Sequence, residues 1–330
     1  MDTSTTYLGL KLAHPFIAGA SPLSAHLDTV KRLEDAGAAA IVLHSLFEEQ
    51  ITLAESGHIR HRDPLDPQFA SALAPFPPTA EYPFSPQEHL EHLRRVKQAV
   101  AIPVIASLNG TTKEAWLQFA KLFEEAGADA IELNYYEVVT ELSMPGIAVE
   151  AQIRDMLHDL KRSVRIPVSI KLSPFFTAFG NFAKQLDATG VDALVIFNRF
   201  YQPDIDIRHM TAVSNLELSR SADLLLRLRW LAILHGRIRA ALCVTGGIET
   251  ANDGVKALLA GAHAVQMVSA LLRHGPGFLK TMVEGLTRWM EWQHIPSIDA
   301  MRGRVSLKDS ADVAAFERAN YIRTLHQWNT

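Results

Sequence analysis

The chain has 330 residues, 48% of them hydrophobic and 21% charged, which is typical of a globular protein and excludes a disordered or fibrous one. Its formal net charge is -4 and its 32 basic residues are scattered, so a nucleic-acid-binding surface is not expected. The first residues show no signal peptide, no apolar run has membrane-spanning length, and the lone Cys243 has no disulfide partner. We therefore expect a cytoplasmic protein that does not bind membranes.

Eight apolar segments with the composition of buried strands alternate with helical patterns along the chain. In chain order they are HPFIAGA, RLEDAGAAAIVLHS, IPVIASLNG, LFEEAGADAIELNYY, IPVSIKLSP, QLDATGVDALVIFNRF, ALCVTGG and ALLAGAHAVQMVSAL. In every second segment an amphipathic helix ends at a glycine suited to a left-handed cap, and a strand follows. Unbroken Ala, Val, Ile and Leu runs indicate strands buried on both faces, as in a parallel sheet covered by helices.

A count of eight strands favours a closed (β/α)8 TIM barrel over an open doubly wound sheet, since no G-x-G-x-x-G motif follows the first strand. Barrels routinely reach this size as one domain, so we predict a single α/β domain over residues 1–330. Barrel enzymes have their sites on the loops after the carboxyl ends of the strands. Three of these loops are long, and the third could form a hairpin: 46 to about 88, 137–152 and 201–223.

Three polar residues stand at the ends of predicted strands, where the pattern is otherwise apolar. Lys171 interrupts IPVSIKLSP, and a buried ammonium needs a charge partner or an anionic ligand. The alternative is a lysine at the strand end whose ammonium reaches water. Asn134 and Asn198 end the fourth and sixth strands with donors and acceptors that suit the amide edge of a heterocycle. Alone, either asparagine is more often a turn residue.

The seventh strand ends in VTGGIETANDG, where Gly246 and Gly247 precede a helix. Such a turn lets backbone N–H groups converge on an anion. In barrels the loops after strands seven and eight are the usual phosphate site, and the loop after the eighth strand contributes Ser269. The position of the glycine pair therefore indicates a phosphate-bearing ligand.

Several of these segments together resemble a known family. The runs HPFIAGASPLS, IPVSIKLSPFF, IFNRF and VTGGIETANDGVKALLAGAHAVQMVSALL are similar to the class 1 dihydroorotate dehydrogenases, over roughly residues 7 to 290. Members of this family are FMN-containing barrels that oxidise dihydroorotate in pyrimidine biosynthesis. The resemblance implies an FMN-dependent dehydrogenase acting on CH–CH groups, a homodimer and a possible electron-transfer partner protein.

The resemblance also implies roles for individual residues. Lys171 matches the family lysine that contacts the isoalloxazine ring and supports the reduced flavin. Asn134 and Asn198 match asparagines that hold the pyrimidine ring of the substrate. The implied cofactor-binding residues, of which the last four would hold the FMN phosphate through backbone groups, are Ala20, Ser21, Ser45, Lys171, Gly246, Gly247, Val268 and Ser269.

The chain departs from the family on the substrate side. Glu137 stands where the family has a catalytic cysteine or serine, and Val139 stands where it has a second asparagine. His44 replaces a lysine, and Arg199 follows Asn198 in place of a small residue. In the family a base takes the C5 proton while hydride passes from C6 to flavin N5. A buried carboxylate can act as that base, so we predict Glu137 as the catalytic base, the alternative being a solvated loop residue.

Two other functions stay open. One is a flavoprotein without dehydrogenase activity that serves as a redox or structural partner, which the altered substrate side favours. The other is a flavin-free barrel enzyme for a phosphorylated metabolite, with Lys171 as a Schiff-base lysine. No metal site is predicted, because the 14 histidines lack a convincing H-x-x-x-H helix pattern and cysteine companions, and HIRH at 58–61 falls in a loop.

Overall fold

The computed structural model describes residues 1–51, 85–110, 112–200, 202–213 and 216–327. Its strands are β1 (Thr5–Tyr7), β2 (Leu10–Leu12), β3 (Phe16–Ala18), β4 (Ile41–Val42), β5 (Leu46–Phe47), β6 (Val104–Gly110), β7 (Ala130–Tyr135), β8 (Val168–Leu172), β9 (Ala193–Ile196), β10 (Asp204–Asp206), β11 (Thr211–Val213), β12 (Ala241–Thr245) and β13 (Ala264–Met267). Eight of them form a parallel barrel in the order β4, β3, β13, β12, β9, β8, β7, β6. Because β4 also pairs with β6, the barrel is closed, and the predicted TIM-barrel fold is confirmed.

The strands are buried because helices cover them from outside. The described helices are α1 (Leu27–Asp35), α2 (Pro86–Ala99), α3 (Lys113–Glu125), α4 (Gly146–Ser163), α5 (Phe179–Ala188), α6 (Leu224–Leu234), α7 (Ala251–Ala260), α8 (Ser269–His274), α9 (Phe278–Trp292), α10 (Ile298–Met301) and α11 (Val313–His326). Every residue of β6 and β8 is buried, as expected for strands between a helical layer and a filled interior. No helix among the described residues is long and apolar enough to cross a membrane.

The glycine pattern in the sequence marks the helix ends correctly. The four glycines predicted to end helices have positive φ angles between +84° and +123°, and a strand follows each of them: Gly37, Gly127, Gly190 and Gly261. At the other end of a helix, Thr250 begins α7 with a capping box in which its hydroxyl accepts from the Asp253 N–H. These local signals set the boundaries of the βα units.

The amino-terminal hairpin closes the bottom of the barrel. Strands β1 and β2 pair antiparallel, and Tyr7, Leu8 and Leu12 join a buried cluster with interior residues such as Val195 and Cys243. The site is therefore left to the opposite end, where the strands finish. There β5 extends the sheet beside β6, and β10 and β11 form the hairpin predicted within 201–223. Most of the predicted loop at 46–88 lies outside the described residues.

Candidate active site

The floor of the site is an ion pair inside the barrel. Lys171 in β8 and Glu132 in β7 have side chains that are 5% and 0% exposed, and Lys171 Nζ lies 2.5 Å from Glu132 Oε1. Glu132 pairs in register with Ser169, two residues before Lys171, so the two side chains lie on the same face of the sheet. A buried ammonium without a counter-charge would be strongly destabilised. Glu132 is the charge partner that the position of Lys171 requires.

A third buried side chain completes the floor. Gln266 in β13 is fully buried, and its Nε2 donates a hydrogen bond to Glu132 Oε2. This contact fixes the amide orientation, because the carboxylate accepts hydrogen bonds and would repel the amide oxygen. Gln266 Oε1 has no hydrogen-bond partner among the residues that the structure describes. A buried acceptor without a donor is costly, so this atom indicates a bound group that carries an N–H or O–H.

The two predicted substrate-binding asparagines meet beside this floor. Asn134 in β7 is opposite Lys171 in the β7–β8 register, and Asn198 follows β9. Asn198 Nδ2 donates to Asn134 Oδ1 at 2.7 Å, so the two amides hold each other in place. The structure thus brings together all three polar residues that interrupt the apolar strand pattern.

The glycine turn after β12 forms a second part of the site. Gly246 and Gly247 have φ angles of +83° and +80°, a conformation that favours glycine. A Cβ on Gly247 would lie 2.4 Å from the backbone nitrogen of Leu224, so a larger residue does not fit. The Gly247 N–H donates to Ser219 Oγ at 3.0 Å, and that hydroxyl donates to Ser269 Oγ at 2.9 Å. The turn presents an N–H to a neutral acceptor that a phosphate oxygen could replace.

Two arginines hold the segments around the turn. Arg227 is buried, and its Nε donates to the carbonyl oxygen of Thr245 at 2.5 Å while its second terminal nitrogen donates to that of Phe197 at 3.2 Å. Arg273 donates to the carbonyl oxygen of Ser219 at 2.9 Å. Arg227 therefore joins the chain after β9 to the end of β12, and Arg273 joins the last turn of α8 to the loop at Ser219.

These residues surround one cavity of about 250 Å³, here called the first cavity. Gln266, Ser219 and Arg199 contribute to its walls. A Cβ on Gly19 would lie 2.7 Å from Val268 Cγ2, so the end of β3 passes close to the end of β13. Seven predicted site residues line the first cavity: Ala20, Ser21, Lys171, Asn198, Gly246, Val268 and Ser269.

The other four predicted residues, Asn134, Gly247, Ser45 and Glu137, do not line the first cavity, although Asn134 and Gly247 hydrogen-bond residues that do. Ser45 does not line the first cavity, and its hydroxyl shares a 2.8 Å hydrogen bond with that of the buried Ser107. Glu137 lines a neighbouring cavity of about 560 Å³, here called the second cavity, between the loops after β7, β8 and β9. The Tyr135 hydroxyl donates to its carboxylate. Tyr136 stacks on Phe200, with ring centroids 4.1 Å apart.

Comparison with known proteins identifies the barrel. The family model for dihydroorotate dehydrogenase matches residues 85–290, which is more than half of the chain. A dihydroorotate dehydrogenase B (NAD(+)) catalytic subunit of Thermoplasma volcanium is 30% identical over 92% of this chain and 98% of its own length. The chain belongs to the dihydroorotate dehydrogenase family. It is therefore an oxidoreductase of a flavin-dependent family whose members are dehydrogenases acting on CH–CH groups.

Two further proteins are similar to the chain over most of its length. The dihydroorotate dehydrogenase B (NAD(+)) catalytic subunit of Methanothermobacter thermautotrophicus is 26% identical over 91% of this chain and 97% of its own length. The NAD-dependent dihydropyrimidine dehydrogenase subunit PreA of Escherichia coli is 24% identical over 92% of this chain and 76% of its own length. The resemblance inferred from four sequence segments is thereby confirmed at the level of the family.

Within this dihydroorotate dehydrogenase-like barrel, Cys243 does not supply a thiolate base. It is fully buried in β12, and burial, followed by the charge of Glu132, raises the pKa of its thiol well above the ordinary value. The thiol therefore stays protonated. Among the described residues no three His, Cys, Asp or Glu side chains gather closely enough to hold a metal ion.

Sequence reasoning missed three residues of the first cavity and its floor: Glu132, Gln266 and Ser219. Glu132 carries a signal that could have found it, because it stands in an apolar strand two residues before Asn134 and so on the same face. Gln266 interrupts the eighth strand in the same way. Ser219 carries no comparable signal, since it comes from a loop whose path over the glycine turn depends on tertiary contacts.

Proposed function

We propose that the chain is an FMN-dependent dehydrogenase that oxidises a CH–CH bond of dihydroorotate or of a related dihydropyrimidine. The observation that carries this proposal is the first cavity, which joins Lys171 and Asn198 to the glycine turn and Ser269. A phosphate-binding turn and a buried cation in one cavity suit a phosphorylated cofactor that gains negative charge during the reaction.

The residues present fit FMN on three counts. Gly246 and Gly247 form a turn that a Cβ would obstruct, with an N–H already donated to a replaceable hydroxyl acceptor. The ammonium of Lys171 is held by its ion pair with Glu132 and is a hydrogen-bond donor that suits acceptors on a flavin ring. Gln266 Oε1 needs a donor, and the pyrimidine part of a flavin carries an N–H. When bound, FMN would supply the hydride acceptor.

The chain's own residues would then bind and orient the reactants. Gly246, Gly247, Val268 and Ser269 would hold the phosphate through backbone groups and the Ser269 hydroxyl. Asn134 and Asn198 would turn their amides from each other to the substrate ring, exchanging one hydrogen bond for several. Ala20 and Ser21 line the same cavity and would pass beside the flavin, while Ser45 would act through Ser107.

The base on the substrate side is assigned to Glu137. Its carboxylate lines the second cavity, held by the Tyr135 hydroxyl, and therefore has to move toward the substrate with the loop after β7. Val139 and Arg199 remove two polar features that the family provides, which supports a dihydropyrimidine other than dihydroorotate as the second candidate substrate. Arg199 lines the first cavity and pairs with Asp223 at 3.2 Å.

The partners proposed follow from the relatives. Both the Thermoplasma volcanium protein and PreA are named as subunits of NAD-linked enzymes. We accordingly propose that this chain passes electrons to a partner protein, works as a homodimer and acts in the cytoplasm.

A reconstitution experiment tests the function. The protein is purified, incubated with FMN or FAD and desalted, and the retained flavin is identified after denaturation. We expect stoichiometric FMN and its anaerobic bleaching by dihydroorotate or dihydrouracil, with dithionite as the positive control for reduction. Retention of no flavin would contradict the cofactor assignment. Retained FMN that neither dihydropyrimidine reduces would instead favour a flavoprotein without dehydrogenase activity.

A further inference from the structure

The buried carboxylate of Glu132 has two partners that both belong to the wall of the first cavity. One of its oxygens lies 2.5 Å from Lys171 Nζ, and the other accepts from Gln266 Nε2. Lys171 and Gln266 come from β8 and β13, which are separated by two strands on one side of the barrel. Glu132 therefore reaches across the barrel interior. It joins two side chains whose own strands are not adjacent in the sheet.

These contacts determine how the ends of the Lys171 and Gln266 side chains are oriented in the cavity wall. An amide that gives its N–H to a carboxylate must direct its oxygen elsewhere, and Gln266 Oε1 has no partner among the described residues. An ammonium that an ion pair holds at the same carboxylate can still donate to other acceptors. Both side chains line the first cavity. The floor of the first cavity therefore holds a hydrogen-bond donor, the Lys171 ammonium, and an acceptor, the Gln266 amide oxygen.

We infer that Glu132 is a positioning residue, which orients Lys171 and Gln266 so that they bind a heterocyclic edge carrying an acceptor next to an N–H. The pyrimidine edge of FMN has this chemistry, and the inference rests on the proposed function in that respect. Glu132 does not touch the ligand in this arrangement. It acts by keeping the ammonium charged and the amide in one orientation.

The negative charge of Glu132 is what allows this residue to position both side chains. Without it, a desolvated ammonium loses its proton more readily, and the amide loses the acceptor that fixes its orientation. Among the described residues, Tyr7 and Cys243 interact electrostatically with Glu132, and burial raises the pKa of both, so both stay neutral. Glu132 is accordingly the buried anion that balances Lys171 in this part of the interior.

The test compares the pH dependence of FMN binding in variants. Dissociation constants of oxidised FMN are measured by quenching of flavin fluorescence from pH 6 to 9 for the wild type, Glu132→Gln, Lys171→Met and the double variant. The wild-type profile, which includes titration of the FMN phosphate at about pH 6, is the reference, and the losses below are relative to it. Glu132→Gln should lose about ten-fold in affinity between pH 6 and 9, and the Lys171→Met background should abolish that loss, because the titrating group is gone.

Two further variants separate positioning from a structural role. Gln266→Met removes the amide oxygen and should weaken FMN binding about ten-fold at every pH, since one hydrogen bond is lost without a change in charge. Ser169→Ala removes a buried hydroxyl from the same interior and should leave both affinity and its pH profile unchanged. If Glu132→Gln does not fold, Gln266→Met still tests the pair, because wild-type affinity in that variant overturns the inference.

The outcomes distinguish this inference from the proposed function. FMN binding by the wild type together with a wild-type profile for Glu132→Gln overturns the inference and leaves the function intact. A pH-dependent loss that persists in the double variant also overturns it, because the titrating group is then not Lys171. A wild type that binds no FMN overturns the proposed function and, with it, the flavin edge as the ligand of the pair.

Discussion

The first and second cavities lie side by side at the same end of the barrel, yet their walls are built differently. The first cavity is formed by strand residues such as Lys171 and Gln266 and by a glycine turn that hydrogen bonds hold on several sides. The second cavity is formed by loop residues, and several of its apolar side chains are exposed, including Val138 and Phe175. Cofactor binding is thus assigned to the first cavity, which strands and hydrogen bonds hold in place. Proton removal is assigned to the second cavity, which loops form.

The difference explains why the family relationship is visible on one side and altered on the other. In the first cavity the strand residues Lys171 and Gln266 are fixed by register with the neighbouring strands, so a substitution there disturbs the barrel itself. Loop residues such as Glu137 and Val139 make fewer demands on the fold, so the chemistry there can change while the barrel is retained. The contrast between the two cavities predicts effects of substitutions that decrease in size in the order given below.

The largest effect is expected from Gly247→Ala, which should abolish FMN retention. The new Cβ would lie 2.4 Å from the Leu224 backbone nitrogen, so the turn has to move. Gly275→Ala is a matched control, because Gly275 has a nearly identical φ of +78° and nothing within 4 Å of an added Cβ. Both variants carry a backbone strain of about 1 to 2 kcal/mol, and only the first obstructs the cradle. Retention is measured by desalting and flavin absorbance.

Full FMN retention in both glycine variants would contradict the assignment of cofactor binding to the first cavity. It would mean that the turn after β12 does not hold the phosphate, whatever the strain at these positions. Loss of retention in both would assign the effect to stability, which thermal unfolding of the flavin-free proteins checks.

The next effect tests the loop side of the comparison. Glu137→Gln should slow anaerobic flavin reduction by about 10² to 10⁴ while FMN stays bound, since a general base contributes on that scale. Glu141→Gln is the control, because this carboxylate lines the second cavity from the same loop and hydrogen-bonds Ser143. Stopped-flow reduction by dihydroorotate, or by whichever dihydropyrimidine the wild type oxidises, measures the rate. Wild-type reduction by Glu137→Gln would remove this residue as the base.

The contrast between the cavities also shows what the sequence could predict. The eight strands, the helix-ending glycines and the approach of Lys171 to the glycine turn follow from apolar patterning and barrel topology, which are encoded locally. The location of Glu137 could not be predicted, because it depends on the path of a loop and on a hydrogen bond from Tyr135. The buried ion pair of Glu132 could have been predicted from the sequence, since a carboxylate in an apolar strand needs a cation nearby.

A smaller effect is expected for Lys171→Met, which should slow flavin reduction on the order of 10²-fold and lower the flavin reduction potential, because a cation beside developing negative charge is lost. Since Glu132 is then buried without a counter-charge, the same substitution is also made in the Glu132→Gln background. Lys161→Met is the control, because Lys161 pairs with Asp192 outside both cavities. An unchanged potential in both backgrounds would separate Lys171 from the flavin.

The smallest effect concerns histidines outside both cavities, and it decides how any acid loss of activity is interpreted. Burial lowers the pKa of His89 in α2 to about 3 and that of His44 after β4 to about 4. Their rings are 4.8 Å apart, and His89 is 1% exposed. The folded state keeps both neutral, whereas the unfolded chain protonates them below about pH 6.5. Their contribution to stability is therefore complete above that pH and is lost as the pH falls toward 4.

The slope is about 1.4 kcal/mol per pH unit for each proton that only the unfolded state binds. His89→Leu should consequently reduce the loss of unfolding free energy between pH 7 and 5 by about 1 to 2 kcal/mol, whereas the exposed His158→Leu should leave it unchanged. Urea unfolding at the two pH values measures the difference. If His89→Leu flattens the stability profile but activity still falls in acid, the fall belongs to a group that acts in catalysis. If His89→Leu keeps the wild-type stability slope, His89 is not neutral in the folded protein, and the acid sensitivity of the barrel has another origin.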